Sequence, residues 1–287
     1  MIEIIDLHMH TNVSDGTDTP SEILSRVREA GIELFAVTDH DAVRGGQLIL
    51  QERKASDPHF LTGVEFSCKD EGGKYHILGY GYDPAAESVR ALVEKGHALR
   101  MKKVRRRMEL LAEQFGFQFP EEEIETLLRL ENPGKPHIGN LMTKLGFTAS
   151  KEEAIQKFIN QVKLRSEYIR PEEAIRGILD GGGIPVLAHP SYGSGEELYI
   201  GPEMEERILH LLPYGLKGLE AYYSGFTNRL RDELLRYADR YELYVTAGSD
   251  YHGTNKLVLL GDTNLTRVSE AHEGVRRFLQ AAADRIH

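Results

Sequence analysis

Residues Asp6-Leu7-His8-Met9-His10 close the apolar run Ile2-Glu3-Ile4-Ile5. An extended strand sends alternate side chains to one face, so His8 and His10 aim at one point. Two imidazoles converging there can hold a metal ion. A His-x-His pair alone is weak evidence, but residues of ligand type recur where other strand-like runs end. They are Asp15 in Ser14-Asp15-Gly16, His40 in Thr38-Asp39-His40-Asp41, Glu65 after Gly63-Val64, His76, His189 in Ala188-His189-Pro190, and Asp250 and His252 in Ser249-Asp250-Tyr251-His252. A sixth run carries Glu220.

His8, His10, Asp15, His40, Glu65, His76, His189, Asp250 and His252 make six imidazoles and three carboxylates. Burying such groups uncompensated costs about 2 kcal/mol or more each. Divalent cations supply the compensation, and carboxylates can bridge neighbouring ions. Nine ligands exceed the needs of one ion and fit two or three. Imidazoles admit Zn, Fe or Mn, and the carboxylates make Mn or Fe suitable alongside Zn. The chemistry such a centre favours is phosphoester hydrolysis. Water held between cations yields hydroxide near neutral pH, and the same ions bind the phosphoryl oxygens. Asp15, His189 and His252 are the side chains expected to support that hydroxide. Neither a Gly-x-Ser-x-Gly elbow nor a Walker loop is present, so acyl transfer and ATP hydrolysis lack support. His59, His97, His210, His272 and His287 read as ordinary core or surface residues, because none sits at a strand end beside an acidic partner. Cys68 reads as a small residue packed near a strand end.

These residues need a scaffold that brings distant strand ends together. Strand-like runs fall at 3–7, 34–38, 60–64, 75–80, 184–188, 217–221 and 243–247. Helical segments lie between them. One opens at Thr19-Pro20-Ser21-Glu22 and ends before Gly31, one covers 171–179, and one covers 229–241. This alternation predicts an α/β fold with a parallel sheet, and about seven units predict a barrel. In a barrel of parallel strands the C-terminal ends share one face, where all nine residues would crowd one pocket. The pattern breaks between 87 and 166, where helices are expected at 92–115, 121–130, 138–145 and 151–158. The expected organisation is a barrel of residues 1–86 and 167–287 with a helical insert, or lid, of 87–166.

The 287 residues are 40% hydrophobic, ample for a sizeable core. No apolar stretch approaches the roughly 20 residues of a membrane span, and no secretory leader is evident. A single cysteine allows no internal disulfide and suits a reducing cytoplasm. The net charge of −10 argues against a protein that coats long duplex nucleic acid. A small phosphorylated substrate drawn in by bound cations remains compatible. The oligomeric state is not legible.

The motifs resemble the PHP (polymerase and histidinol phosphatase) family of metal-dependent phosphoesterases. They run from Asp6-Leu7-His8-Met9-His10-Thr11 through Ser14-Asp15-Gly16, Thr38-Asp39-His40-Asp41, Gly63-Val64-Glu65, His76-Ile77-Leu78-Gly79-Tyr80 and Ala188-His189-Pro190 to Gly248-Ser249-Asp250-Tyr251-His252. The chain looks most like the TrpH-type (YciV-like) group, whose members hydrolyse nucleoside 3′,5′-bisphosphates or trim short RNA from its 5′ end. That resemblance implies a distorted (β/α)7 barrel with a trinuclear site. One ion would take His8, His10, Glu65 and Asp250, a second Asp15, His40 and His252, and a third Glu65, His76 and His189. Asp6 and Asp39 would orient ligand imidazoles or simply tie strand ends. The insert segment Gly134-Lys135-Pro136-His137-Ile138-Gly139 also resembles that group, with Lys135 where arginine is usual. Lysine keeps the charge but loses the two-pronged grip on phosphate.

Phosphate grips beyond the metals are expected from Lys135, His137 and Arg165. The basic stretch 100–107 reads either as a further grip or as a solvated face balanced by nearby glutamates. Tyr222, Tyr223 and Phe226 read either as a stacking surface for a base or as core. The expected substrate is a 3′,5′-bisphosphate nucleotide or short RNA. The alternatives are a histidinol-phosphate or sugar-phosphate monoesterase and a non-catalytic metal-binding module.

Overall fold

The computed structural model describes residues 2–165, 167–193 and 197–287. Ser166, the last residue of the expected insert, lies outside the described residues. The strands are β1 (Ile5–Asp6), β2 (Leu34–Phe35), β3 (His59–Phe60), β4 (Gly63–Asp70), β5 (Gly73–Tyr80), β6 (Ile184–Leu187), β7 (Gly218–Tyr223) and β8 (Tyr244–Gly248). The helices are α1 (Pro20–Glu29), α2 (Arg44–Glu52), α3 (Glu87–Phe115), α4 (Glu121–Leu128), α5 (Lys135–Lys144), α6 (Lys151–Lys157), α7 (Pro171–Asp180), α8 (Gly201–Leu211), α9 (Asn228–Arg240) and α10 (Glu273–Ala282). Helices α2, α8 and α10 were not among the sequence-based expectations.

The ladders order the strands as β1-β2-β3 and β4-β5-β6-β7-β8. Two seams join the sheets into a ring. Leu7 N–H donates to the Ala247 carbonyl at 2.9 Å, and Asp250 N–H to that of His8 at 2.8 Å, tying β1 to β8. Asp41 N–H donates to the Glu65 carbonyl at 2.9 Å, tying the end of β2 to β4. Strands β3 and β4 are separated only by Leu61 and Thr62 and together form one side of the ring. The result is the distorted seven-sided α/β barrel that the sequence predicts.

Two expectations fail. The run expected at 60–64 divides into β3 and β4, with Glu65 inside β4. The strands are not all parallel, because β5 runs antiparallel to both β4 and β6. Only Glu71 and Gly72 separate β4 from β5. Such a short link closes a hairpin, whereas a parallel return needs a dozen or more residues. Reversal puts His76, early in β5, on the rim where the neighbouring strands end: its carbonyl accepts from Ala188 N–H, just past β6, at 3.0 Å.

Local chemistry explains the helices that cover the ring. Helix α1 opens with a reciprocal cap between Thr19 and Glu22, with Pro20 in the first turn. It buries Ile23, Leu24 and Val27 in a small cluster with Phe35, Ile49 and Phe60. The largest cluster fills the rest of the barrel and includes Val89 and Leu92 of α3. Further along the same helix, Val104, Met108 and Leu111 join a separate cluster with Leu127, Ile138, Met142 and Ile159. Among the described residues, no helix is long and apolar enough to cross a membrane.

Candidate metal centre

The rim gathers its donors from strand ends, some of them strained. His8 and His10 follow β1 and are fully buried, with ring centroids 5.2 Å apart. His189 and Asp250 follow β6 and β8 with φ of +26° and +59°. Non-glycine residues occupy that left-handed region at a cost of about 1–3 kcal/mol, which surrounding contacts must offset. At His189 one such contact is its own N–H, which donates to Glu220 Oε2 at 2.9 Å.

Glu65 sits at the centre. Its Oε2 lies 3.3 Å from His8 Nε2, 3.2 Å from His10 Nε2 and 3.1 Å from His40 Nδ1. Its Oε1 lies 2.9 Å from His76 Nδ1 and 3.1 Å from His189 Nε2. Asp250 Oδ1 is 3.5 Å from Nε2 of both His8 and His10. Asp15 Oδ1 is 3.3 Å from His252 Nε2, and its Oδ2 is 3.9 Å from His40 Nε2. Donor atoms therefore fall into sets: His8, His10 and Glu65; His8, His189 and Asp250; His10, Asp15, His40 and His252; His40, Glu65 and His76.

These contacts fit cations better than hydrogen bonds. The His8 Nδ1–H donates to Glu220 Oε1 at 2.9 Å, which leaves the lone pair of its neutral ring on Nε2. That Nε2 faces His10 Nε2 at 3.2 Å. The His252 Nδ1–H is likewise committed, to the Asp250 carbonyl at 2.9 Å, and turns Nε2 toward Asp15. Asp15 Oδ1, His40 Nδ1, Glu65 Oε2, His76 Nδ1 and His189 Nδ1 are buried without an aligned hydrogen bond. His8 and His10 lie 3.2–3.5 Å from each other and from Glu65 and Asp250, the spacing of neighbouring ligands about 2.1 Å from an ion. The residues present thus fit divalent ions.

The electrostatics agree. Burial disfavours charge on His8, but the carboxylates of Glu220, Glu65 and Asp250 outweigh it and raise its pKa well above the usual value. Burial is likewise outweighed at His10, where contacts with Asp250 and Glu65 lift the pKa to about 9. Burial opposes ionisation of Asp15, Glu65 and Asp250, yet the surrounding imidazoles hold all three well below the carboxylate range. His40 is pushed down, first by burial. A cation entering the cluster must displace protons from His8 and His10.

All nine expected ligands meet at this rim. Asp6 accepts from the backbone N–H groups of His8, Ser249 and Gly261, and Asp39 from Thr11 and Ser14. No hydrogen bond joins either to a ligand ring. Glu220 fills that role for His8; the sequence marked it as the acid of the sixth run, but a lone acid in the apolar strand Gly218–Tyr223 does not announce its partner. Gly248 makes the approach possible, since a Cβ there would lie 2.2 Å from His8 Cβ and 2.4 Å from Glu220 Oε1.

A cleft of about 380 Å³ opens from the rim, where Asp15, His40 and His76 line it, to α3 and the loop before α5. The basic stretch of α3 divides by helical spacing. Arg100, Lys103 and Arg107 line the cleft, whereas Arg105 and Arg106 pair with Glu121, Glu125, Glu109 and Glu113. The stretch thus presents one face to the cleft and another to solvent. Arg100 donates to Asp41 Oδ2 at 2.6 Å, and Lys103 to Tyr168 at 2.8 Å. Lys135 also lines the cleft, with its ammonium on Asn160 at 2.8 Å. His137 caps α5 by accepting from Gly134 N–H at 3.1 Å, and burial lowers its pKa. Arg165 is exposed and is not among the side chains lining the cleft. Tyr222, Tyr223 and Phe226 are buried, which favours the packing reading. Cys68 is buried at the cleft wall. His210, in α8, and His272, at the start of α10, meet Asp70 at 2.8 Å and Asp239 at 3.0 Å, but neither lies at a strand end or belongs to the rim sets.

Comparison with known proteins extends these observations. A chain from Bifidobacterium adolescentis described as a metal-dependent phosphoesterase superposes with a TM-score of 0.81 at 27% identity, covering 96% of each chain. A 5′-3′ exoribonuclease of Haemophilus influenzae is 28% identical over 255 residues, 88% of this chain and 91% of that protein. A phosphoribosyl 1,2-cyclic phosphate 1,2-diphosphodiesterase of Eggerthella lenta is 28% identical over 267 residues, 88% and 95% of the two chains. A 3′,5′-nucleoside bisphosphate phosphatase of Chromobacterium violaceum is 29% identical over 264 residues, 86% and 87%. Fold, donor set and relatives place the chain among metal-dependent hydrolases of phosphoric esters. The PHP domain matches residues 6–164, more than half of the chain, and the chain belongs to that family.

Proposed function

We propose that the enzyme acts on small phosphorylated nucleotides, 3′,5′-bisphosphates among them, or on the 5′ end of short RNA, with two or three Mn, Fe or Zn ions. The cleft carries this reading: anionic and imidazole donors form one wall, and Arg100, Lys103 and Arg107 stand on another. Such a cleft suits a substrate with one phosphate at the ions and further negative charge beyond them. His8, His10, Glu65 and Asp250 would hold one ion, Asp15, His40 and His252 a second, and Glu65, His76 and His189 a third. Bound ions would acidify water and offset phosphoryl charge. Around them Glu220 fixes the His8 ring, while Asp15, at the cleft wall, and His189 and His252 are the groups placed to steer a proton. A cytoplasmic location belongs to the same reading, supported by the single, buried thiol.

The Eggerthella relative gives a second reading, a ribosyl cyclic phosphodiester, at equal identity. Histidinol phosphate has less support, since one phosphate leaves the cationic wall unused. A non-catalytic module is disfavoured because every donor is in place. The test is to incubate manganese-loaded protein with 3′-phosphoadenosine 5′-phosphate, short 5′-phosphorylated RNA, a ribosyl 1,2-cyclic phosphate and histidinol phosphate. Phosphate or mononucleotide release from the first two is expected. Turnover of only the third, including ring opening to the phosphomonoester, or of only the fourth would replace the substrate reading, and no turnover of any would remove the enzymatic one.

A further inference from the structure

Asp250 divides its two carboxylate oxygens between different tasks. Oδ1 faces the rings, 3.5 Å from Nε2 of His8 and His10 and 3.4 Å from His252 Nδ1. Oδ2 accepts a hydrogen bond from the Tyr223 hydroxyl at 2.8 Å and pairs with the Lys256 ammonium. Neither Tyr223 nor Lys256 belongs to the donor sets. Both are nevertheless tied to a ligand whose backbone is left-handed, at φ +59°.

The two donors differ in how firmly they stand. The Tyr223 ring packs against Phe226 at 5.0 Å and His189 at 5.5 Å between centroids, and Asn264 Nδ2 donates to its carbonyl at 2.8 Å. Its hydroxyl is therefore fixed in space. Lys256 comes from the loop that follows His252, and its side chain remains 40% exposed. Together they occupy one oxygen of a carboxylate that could otherwise offer both. Neighbours that hold a ligating carboxylate in place raise its affinity for an ion.

We infer that Tyr223 and Lys256 are positioning residues that anchor Asp250 through Oδ2, keep Oδ1 aimed at the rings, and so raise the affinity of the ion shared with His8, His10 and Glu65. The inference rests on the metal-centre reading above.

The test compares wild type, Tyr223→Phe, Lys256→Met and Lys256→Arg. Each intact protein is equilibrated in graded manganese buffers, and bound metal is measured by mass spectrometry alongside kcat and KM. Circular dichroism confirms folding, and Tyr223→Phe, which keeps the ring, carries the test if Lys256→Met does not fold. The expected result is that Tyr223→Phe and Lys256→Met release one ion per chain at roughly 10–100-fold higher free manganese than wild type does. Their kcat should track ion content and return at raised manganese, and Lys256→Arg should stay close to wild type. Unchanged titrations overturn the inference. So does tighter binding by Lys256→Met, which would make the ammonium a competitor of the ion, and so does a change in KM alone at full occupancy, which would make Lys256 a substrate contact. A wild type that takes up no metal overturns the underlying reading as well.

Discussion

On the outer face of α3, Arg105 meets Glu121 and Glu125, and Arg106 meets Glu109 and Glu113. Each charge there has an opposite partner in solvent, worth little to stability and nothing to a ligand. On the barrel rim, Glu65 meets His8, His10, His40, His76 and His189 in the dry interior, and several of the facing atoms make no aligned hydrogen bond. The contrast shows how to separate charges that hold the fold from charges that await something. The first are paired and wet. The second are buried, crowded with atoms of like kind, and costly unless a missing positive charge is added.

Four substitutions would break or sharpen that contrast. The largest effect is expected from Glu65→Gln, which removes the charge shared by every ring around it. Activity should fall by about 10²–10³-fold or more, with loss of bound metal, read from turnover and metal analysis. Retention of both would mean that the rim charges are merely structural. Glu220→Gln comes next. The amide can no longer pull the His8 proton onto Nδ1 as a carboxylate does, so metal affinity should weaken by roughly 10–100-fold in a metal-buffer titration. The smallest effect is on α3. Arg100→Met should raise KM by roughly tenfold with kcat little changed, whereas Arg106→Gln should leave both within about twofold. Equal responses would erase the distinction between the two faces of that helix.

The sequence made most of the nine rim residues legible because they follow strand ends, whereas Glu65 and His76 lie within β4 and β5. Barrel class and strand positions followed from the β-α alternation. The direction of β5 was readable in principle from the Asp70-Glu71-Gly72-Gly73 turn, but the overall alternation pointed the other way. The split of α3 was also present in the spacing, since positions 100, 103 and 107 share one helical face and 105 and 106 do not. The roles of Glu220, Tyr223 and Lys256 were not readable. They come from contacts with residues far away in the chain or across a turn, and no local pattern announces such contacts.

Helix α3 has 29 residues, so it is a rod of about 43 Å. Its first turns are cemented into the barrel through Val89 and Leu92, and its later turns anchor the neighbouring helices through Val104, Met108 and Leu111. At Gly96 the rod passes so near the turn after β2 that a Cβ would come within 3.0 Å of Asp41 Cβ. Arg100 and Lys103 stand on the cantilever one and two turns beyond that fulcrum. On the proposed reading, these cations are held in place before any substrate arrives, and docking would not spend binding energy on marshalling them.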